Sequence, residues 1–367
     1  MRPRFMVSAI DVHAEGEPGR VLLSSALRVQ GRSMAERLEY CRANLDWLRR
    51  LMLQEPRGYP AMCCSLVLPP TTAAADAGLI VMEQSGFNPM SGSNTMCVVT
   101  ALLETGALPA TEPVTRLVLE TAVGLIEVEA EVRSTKVERV TLRNVPAFVV
   151  HEKRVLKVPE LGRVTVDVAF GGQFFVLASA AEAGVELTSS NARAIVRAGA
   201  IIKRIAQEEL AVRHPDNPAI NSITLTMLHA PADAPGVGGR NAVICTTGAV
   251  DPGRPESWTG ALDRSPCGTG TSARMAVLES EGRLRIGEKF VHEGILGTHF
   301  TGTLIAETHV GKLRAVVPTI SGRAWVTGMS TYVLDEGDPF PQGYALGDIW
   351  ADASESVARR PSVEVLA

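Results

Sequence analysis

Two short stretches carry the residue types able to do chemistry. The first is Ser91-Gly92-Ser93-Asn94-Thr95, and the second is Cys267-Gly268-Thr269-Gly270-Thr271. Each sets a small nucleophilic side chain, Ser91 or Cys267, one residue ahead of a helix-like run. A helix start offers unpaired backbone N–H groups and a partial positive charge. A thiol placed there loses its proton more easily, and a carboxylate docks there readily. Two such starts facing each other across a cleft would grip a small carboxylate between them. Ser91 and Cys267 would then flank its α-carbon from opposite sides, an arrangement suited to acid–base chemistry at a Cα–H bond. Asp263, four residues before Cys267, is the carboxylate within reach of the second start and is suited to an amino or imino group.

The two stretches are copies. Laid over each other without a gap, they share Gly92/Gly268, Thr95/Thr271, Leu102/Leu278, Gly106/Gly282 and Leu108/Leu284. Further on, Glu120 and Gly124 match Glu293 and Gly297 in nearly the same register. Each copy reads as a glycine-bearing turn, about four helical turns, and a glycine stop. This agreement predicts an internal duplication, with two half-molecules related by a pseudo-twofold.

The elements that must position these starts are legible in outline. Residues 4–12 read as a strand leading into Asp11-Val12-His13-Ala14-Glu15-Gly16-Glu17-Pro18, where His13 is held as a possible wall of the site. Ser33-Met34-Ala35-Glu36 has capping-box spacing. The helix it opens carries Met34, Leu38, Cys41, Leu45, Leu48 and Met52 on one stripe and closes at Pro56. Strands are expected over 62–68 and 79–83. The helix after Ser91 is apolar nearly all round, so it should be enclosed, and a helix inside a β-barrel would fit. Residues 114–170 read as β-rich, with Glu127, Glu129 and Glu131 alternating with Ile126, Val128 and Ala130. The pair Gly171-Gly172 lets backbone approach closely, whether a ligand, a strand or a barrel corner. A second amphipathic helix is expected over 189–212, capped by Ser190 or Asn191, with Ile195, Ile201, Ile202 and Ile205 on its apolar side. Strands follow at 219–229 and 241–249, and the segment 351–367 reads as a loose polar tail.

Composition bounds the partners. The 367 residues suffice for two ordinary domains, and 46% hydrophobic against 5% aromatic content describes an ample aliphatic core. A formal net charge of -4, with no Lys/Arg run, argues against nucleic-acid binding. No signal peptide or membrane span is visible, so a cytoplasmic chain is expected. None of the cysteines, Cys41, Cys63, Cys64, Cys97, Cys245 and Cys267, forms a C-x-x-C pair, so no metal site is expected. No His or Asn constellation accompanies Cys267, which argues against a thiol hydrolase.

Taken together, these residues resemble the proline racemase family, which includes hydroxyproline 2-epimerases and trans-3-hydroxy-L-proline dehydratases. The resemblance rests on residues 11–18, on Glu55-Pro56-Arg57-Gly58, on the Ser91 stretch, and above all on Asp263-Arg264-Ser265-Pro266-Cys267-Gly268-Thr269-Gly270-Thr271. It implies an α+β fold of two diaminopimelate-epimerase-like β-barrel halves, each around one central helix. It implies neither pyridoxal phosphate nor metal. It assigns the second catalytic cysteine to Cys267, the imino-binding aspartate to Asp263, and carboxylate-binding backbone groups to Gly92, Ser93, Gly268 and Thr269. The halves are placed at 1–185 and 186–340, with 340–367 returning to the first. The expected ligand is a small imino acid, and a homodimer is the assembly considered.

At the first site the chain reads Ser91-Gly92-Ser93 where most racemases and epimerases of the family read Cys-Gly-His. The usual dehydratases keep that first Cys and replace the second by Thr; this chain does the reverse. A racemase needs a competent base on both faces, and a serine hydroxyl is a far weaker acid than a thiol of pKa about 8.5. A dehydratase needs one base at Cα and one donor to the departing hydroxyl. The unequal pair therefore points to dehydration of trans-3-hydroxy-L-proline to Δ1-pyrroline-2-carboxylate. The alternatives are 4-hydroxyproline 2-epimerisation and an imino-acid-binding homologue without turnover.

Overall fold

The computed structural model describes residues 3–23, 27–218, 220–347 and 349–350. The chain runs β1 (Pro3–Ala14), β2 (Glu17–Leu23), α1 (Met34–Asn44), α2 (Asp46–Leu53), β3 (Cys63–Leu68), β4 (Ala77–Glu83), β5 (Gly86–Asn88), α3 (Gly92–Glu104), β6 (Val114–Thr121), β7 (Gly124–Arg133) and β8 (Lys136–Arg143). It continues with β9 (Phe148–Val158), β10 (Gly162–Phe170), β11 (Phe174–Ser179), α4 (Ala192–Glu209), β12 (Ile223–Ala230), β13 (Gly239–Thr246), β14 (Gly260–Leu262), α5 (Gly268–Ser280), β15 (Lys289–Glu293), β16 (His299–Val310), β17 (Leu313–Gly322) and β18 (Ala324–Asp335).

The duplication is written into the strand pairing. In the first half β1 pairs antiparallel with β2, and β2 pairs parallel with β3. Then β3 pairs antiparallel with β4, β4 antiparallel with β5 and parallel with β6, and β6–β7–β8 form a meander. The second half repeats every step: β10 antiparallel to β11, β11 parallel to β12, β12 antiparallel to β13, β13 antiparallel to β14 and parallel to β15, then the β15–β16–β17 meander. A parallel step needs a crossover, which is what α1–α2 supply in one half and α4 in the other. Strands β18 and β9 take equivalent places beside β1 and β10. The halves are joined by β8 against β17.

Each half closes around one helix. Helix α3 lies against β1, β2, β3, β8 and β18, and α5 against β9, β10, β11, β16 and β17. Every residue of α3 from Gly92 to Leu103 is buried, and so is every residue of α5 from Gly268 to Leu278. A helix apolar all round gains its stability by burying its whole circumference rather than one stripe. One buried cluster runs through both central helices, joining Met96 and Val99 of α3 to Met275 and Leu278 of α5. A second, with Phe148, Phe174, Ile201 and Ile244, lies between α4 and the strands of the second half.

The structure corrects the expected boundary at 185/186. Strands β9, β10 and β11, expected in the first half, wrap α5 in the second, and the chain changes halves between Arg143 and Phe148. The long helix taken as the start of the second half is instead its internal crossover. At the other end β18, expected in the second half, runs back along β1 for its whole length. Tyr344 then bridges to Glu55, and Trp350 Nε1 donates to Glu55 Oε2 at 2.7 Å. The tail expected at 351–367 lies outside the described residues.

Two local readings also change. The helix opened by Ser33 is two helices, because Leu45 leaves helical geometry at φ -116°, ψ 16°. Its stripe is nevertheless buried from Met34 to Met52, so the periodicity reflected packing that the break does not disturb. Ser33 Oγ accepts from Glu36 N as a capping box requires, but Glu36 reaches back to Arg32 N instead of Ser33 N. Helix α4 begins after a single tighter turn at Ser189–Asn191, with Asn191 as its cap residue and no capping side-chain bond. Among the described residues no helix is long and apolar enough to cross a membrane.

The glycine pair at 171–172, in the turn between β10 and β11, lets the backbone lie against the start of α5. A Cβ on Gly171 would stand 2.2 Å from Thr269 O and 2.5 Å from Ala273 N. Both neighbours are backbone, so neither can swing aside. Gly171→Ala is expected to destabilise the fold by about 1–3 kcal/mol, the scale of overpacking a dense core. It should also lower turnover by displacing α5. Urea unfolding and steady-state assays measure the two effects, and an unchanged midpoint would contradict the contact.

Candidate active site

The starts of α3 and α5 meet head to head at the junction of the halves. A Cβ on Gly92 would lie 3.1 Å from Gly268 Cα, and one on Gly268 would lie 3.1 Å from Gly92 Cα. A side chain at either position would press on the facing backbone, so glycine at both eases this approach. Beside the contact is a cavity of about 80 Å³, lined among others by Ser91, Gly92, Ser93, Asp263, Cys267, Gly268 and Thr269. These come from two stretches far apart in the chain, and the pseudo-twofold delivers both sets to one place.

Ser91 is the N-cap of α3, in extended conformation at φ -148°. Its Oγ accepts from Asn94 Nδ2 at 3.1 Å and from Asn94 N at 3.5 Å, and lies 3.3 Å from Ser93 Oγ. Asn94 is itself buried, its Oδ1 accepting from Ser65 Oγ. Every one of these neighbours is an amide or a hydroxyl, so none can take the serine proton at neutral pH.

Cys267 is the N-cap of α5, and its φ of +61° is a left-handed value that a residue with a side chain rarely adopts. Its Sγ accepts from Gly270 N at 3.4 Å and lies 3.7 Å from Thr269 Oγ1. Cys267 N donates to Ser265 Oγ at 3.1 Å, which fixes the turn. The expected lowering of the thiol pKa is reversed in the structure. Burial first, then the charge of Asp263, push the thiol well above its ordinary value, while the Gly270 N–H and Thr269 hydroxyl pull it down. Desolvation of a charged sulfur outweighs a partial helix charge when the site is enclosed.

Asp263 Oδ1 accepts from Ser265 N and Ser265 Oγ, both at 2.8 Å. Burial raises its pKa, against hydrogen bonds from Ser265, Cys267 and Glu17 that lower it. Sequence reasoning missed further groups on the same cavity: Glu17, Glu83, Cys63 and Cys245. Glu17 Oε2 accepts from Arg264 N at 2.6 Å, and Cys63 Sγ donates to Glu17 Oε1 at 3.4 Å. Burial, then the charge of Asp263, hold Glu17 well above the usual carboxyl range. The same two causes lift Glu83 to about 7. Burial keeps the Cys63 and Cys245 thiols protonated. The signal for Glu17 was its place in the Asp11–Pro18 motif, where His13 drew the attention instead. Glu83 had a weaker one, as the lone carboxylate ending an apolar strand.

His13 does not line this cavity. It lies in a wider groove of about 1510 Å³ that shares Pro60, Ala61, Met62, Ala261, Leu262 and Arg264 with the cavity wall. There it stacks on Trp325 at 5.1 Å between ring centroids, and its Nδ1 accepts from Gly16 N.

The comparison with known proteins agrees with this geometry. A family model described as "Proline racemase" matches residues 9–345. The chain belongs to the proline racemase family. Among curated members, a 4-hydroxyproline 2-epimerase from Streptosporangium roseum is 41% identical over 346 residues, covering 94% of this chain and 100% of that protein. A proline racemase from Clostridioides difficile is 38% identical over 340 residues, covering 93% and 98%. Among solved structures, a hydroxyproline epimerase from Agrobacterium vitis with bound trans-4-hydroxy-L-proline superimposes with a TM-score of 0.87 at 35% identity, covering 97% of this chain and 100% of that one. The two-halved α+β architecture is thus that of the proline racemase family along nearly the whole chain.

Proposed function

We propose that this protein acts on a hydroxyproline by cofactor-independent proton removal at Cα. The reaction it is best suited to is dehydration of trans-3-hydroxy-L-proline to Δ1-pyrroline-2-carboxylate. The N–H groups of Gly92, Ser93, Gly268 and Thr269, at two helix starts, receive the substrate carboxylate. Asp263 receives the ring ammonium. Its positive charge offsets the Asp263 charge that otherwise holds the Cys267 thiol protonated, so binding favours the thiolate. Cys267 and Ser91 flank Cα: one handles the Cα proton and the other assists loss of the C3 hydroxyl.

The observation carrying this reading is the unequal pair on one cavity. Cys267 is a thiol, whereas among the described residues the Ser91 hydroxyl hydrogen-bonds only to amide and hydroxyl groups and so is a poor base. One-sided chemistry tolerates that inequality better than two-sided exchange does. The second reading, 4-hydroxyproline 2-epimerisation by the same residues, is favoured by the 41% identical relative of that name.

Incubation with each hydroxyproline isomer in deuterated water, followed by proton NMR, separates the two. Dehydration predicts the pyrroline product from the 3-hydroxy isomer. Epimer carrying Cα deuterium, with no pyrroline, would remove the dehydratase reading. Tight binding without exchange at Cα would leave a binding protein.

A further inference from the structure

The cavity carries three carboxyl groups, and the reading above uses only Asp263. Glu17 is fully engaged, one oxygen by Arg264 N and the other by the Cys63 thiol. Glu83 is different. It ends β4 on the cavity wall, and Asn88 Nδ2 donates to its Oε2 at 2.6 Å. Among the described residues no group occupies its Oε1. It is only half-buried, although its charged form is strongly desolvated, as expected of a side chain that faces a small enclosed cavity.

With the substrate carboxylate on the two helix starts and the ring ammonium on Asp263, the remaining wall must face the ring carbons. That wall brings together Cys63 from β3, Glu83 from β4 and Cys245 from β13. Both thiols are held protonated by burial. Of the three, only the carboxyl group is acidic enough to hand a proton to a departing hydroxyl.

We propose that Glu83, rather than the second member of the Cys267/Ser91 pair, is the acid that protonates the ring hydroxyl as it leaves, and so a further catalytic residue. This rests on the dehydratase reading. In the step, the Cα–H bond breaks and its proton goes to the base. Its electron pair forms the C2–C3 double bond. The C3–O bond breaks toward oxygen, and the Glu83 O–H proton completes a water molecule. The enamine then takes a proton on C3 and gives up its N–H proton to solvent to become the Δ1 imine, while solvent restores the proton on Glu83 and removes the one on the base. Asn88, bound to the opposite oxygen, fixes the carboxyl plane.

The charge around Glu83 favours this role. The charge of Asp263 acts on it and raises its pKa, Cys63 and Cys245 stand on the same wall as neutral thiols, and Arg264 turns its guanidinium to Leu262 O. From α2, Arg49 donates to the backbone carbonyls of Glu83 and Gln84 and pairs with Asp46, not with the Glu83 carboxylate. Among the described residues no cation pairs with the carboxylate, and in the unliganded protein burial and the Asp263 charge raise its pKa to about 7.

The test is Glu83→Gln, which keeps shape and the Asn88 contact but cannot give a proton. Dehydration of trans-3-hydroxy-L-proline is expected to fall about a hundred-fold, the scale of a lost general acid. Deuterium exchange at Cα of 4-hydroxyproline, where nothing leaves, should fall at least about ten-fold less. In the wild type, dehydration should decline as pH rises through the Glu83 pKa, because the acid form is lost; Glu83→Asp should keep such a limb and Glu83→Gln should not. Equal losses in both reactions, or an unaltered alkaline limb in Glu83→Gln, would overturn the role of Glu83 alone. A wild type that exchanges Cα protons yet releases no water from the 3-hydroxy isomer would overturn the dehydratase reading, and Glu83 with it.

Discussion

Cys267→Ala is expected to lower turnover of hydroxyproline by about 10²–10⁴-fold, the contribution of a positioned acid–base group. The loss should appear in kcat, because the carboxylate and ammonium contacts do not involve the sulfur. Stability should change little: the substitution removes one buried atom at a turn held by Ser265 and by the α5 backbone. The expected cost is about 1 kcal/mol, near the small end of core truncations. Steady-state kinetics and thermal unfolding on one preparation check both halves of the statement. Turnover within about three-fold of wild type would remove Cys267 from the chemistry, since a true acid–base group costs far more.

Ser91→Cys is expected to move the product ratio rather than the total rate. Sulfur in place of oxygen brings the pKa to about 8.5 before any environmental shift, so a base becomes available on the second face. The position is already furnished for an anion. Asn94 Nδ2 and Asn94 N both donate to the Ser91 side chain, and the α3 start adds its partial charge. Two-sided exchange should then compete with water loss, and the ratio of epimer to pyrroline should rise about ten-fold or more, the change that one pKa unit of driving force supplies. Proton NMR of mixed-isomer reactions reads the ratio directly. A ratio equal to that of wild type would mean that Ser91 does not face Cα from the opposite side.

These two variants differ in what they ask of the molecule. Cys267→Ala asks only whether the sulfur is chemically engaged. Ser91→Cys asks whether the two helix starts address one substrate atom, which is a statement about tertiary geometry. The contact between Gly92 and Gly268 makes that geometry tight, because a Cβ at either glycine would lie 3.1 Å from the facing Cα and press the two starts apart by a few tenths of an ångström.

By itself the sequence determined the parts of this protein whose physics is local. A glycine turn, a capping side chain and a run of apolar residues specify a helix start wherever they occur, so both starts and their kinship were readable from Gly92/Gly268, Thr95/Thr271 and the paired stop glycines. The all-round apolar text of α3 likewise required enclosure, and the residues proposed to bind an imino acid cluster around those starts. Tertiary structure alone decided the rest, because it depends on which distant strands share a wall. Glu17, Cys63, Glu83 and Cys245 come from four strands and converge only when both halves have closed. The half boundary follows from β9–β11 wrapping α5 and from β18 returning to β1, pairings for which no short-range signal exists. The protonation of Cys267 is of the same kind. A local helix charge predicts an easy thiolate, but burial and the nearby Asp263 act through space and reverse the direction.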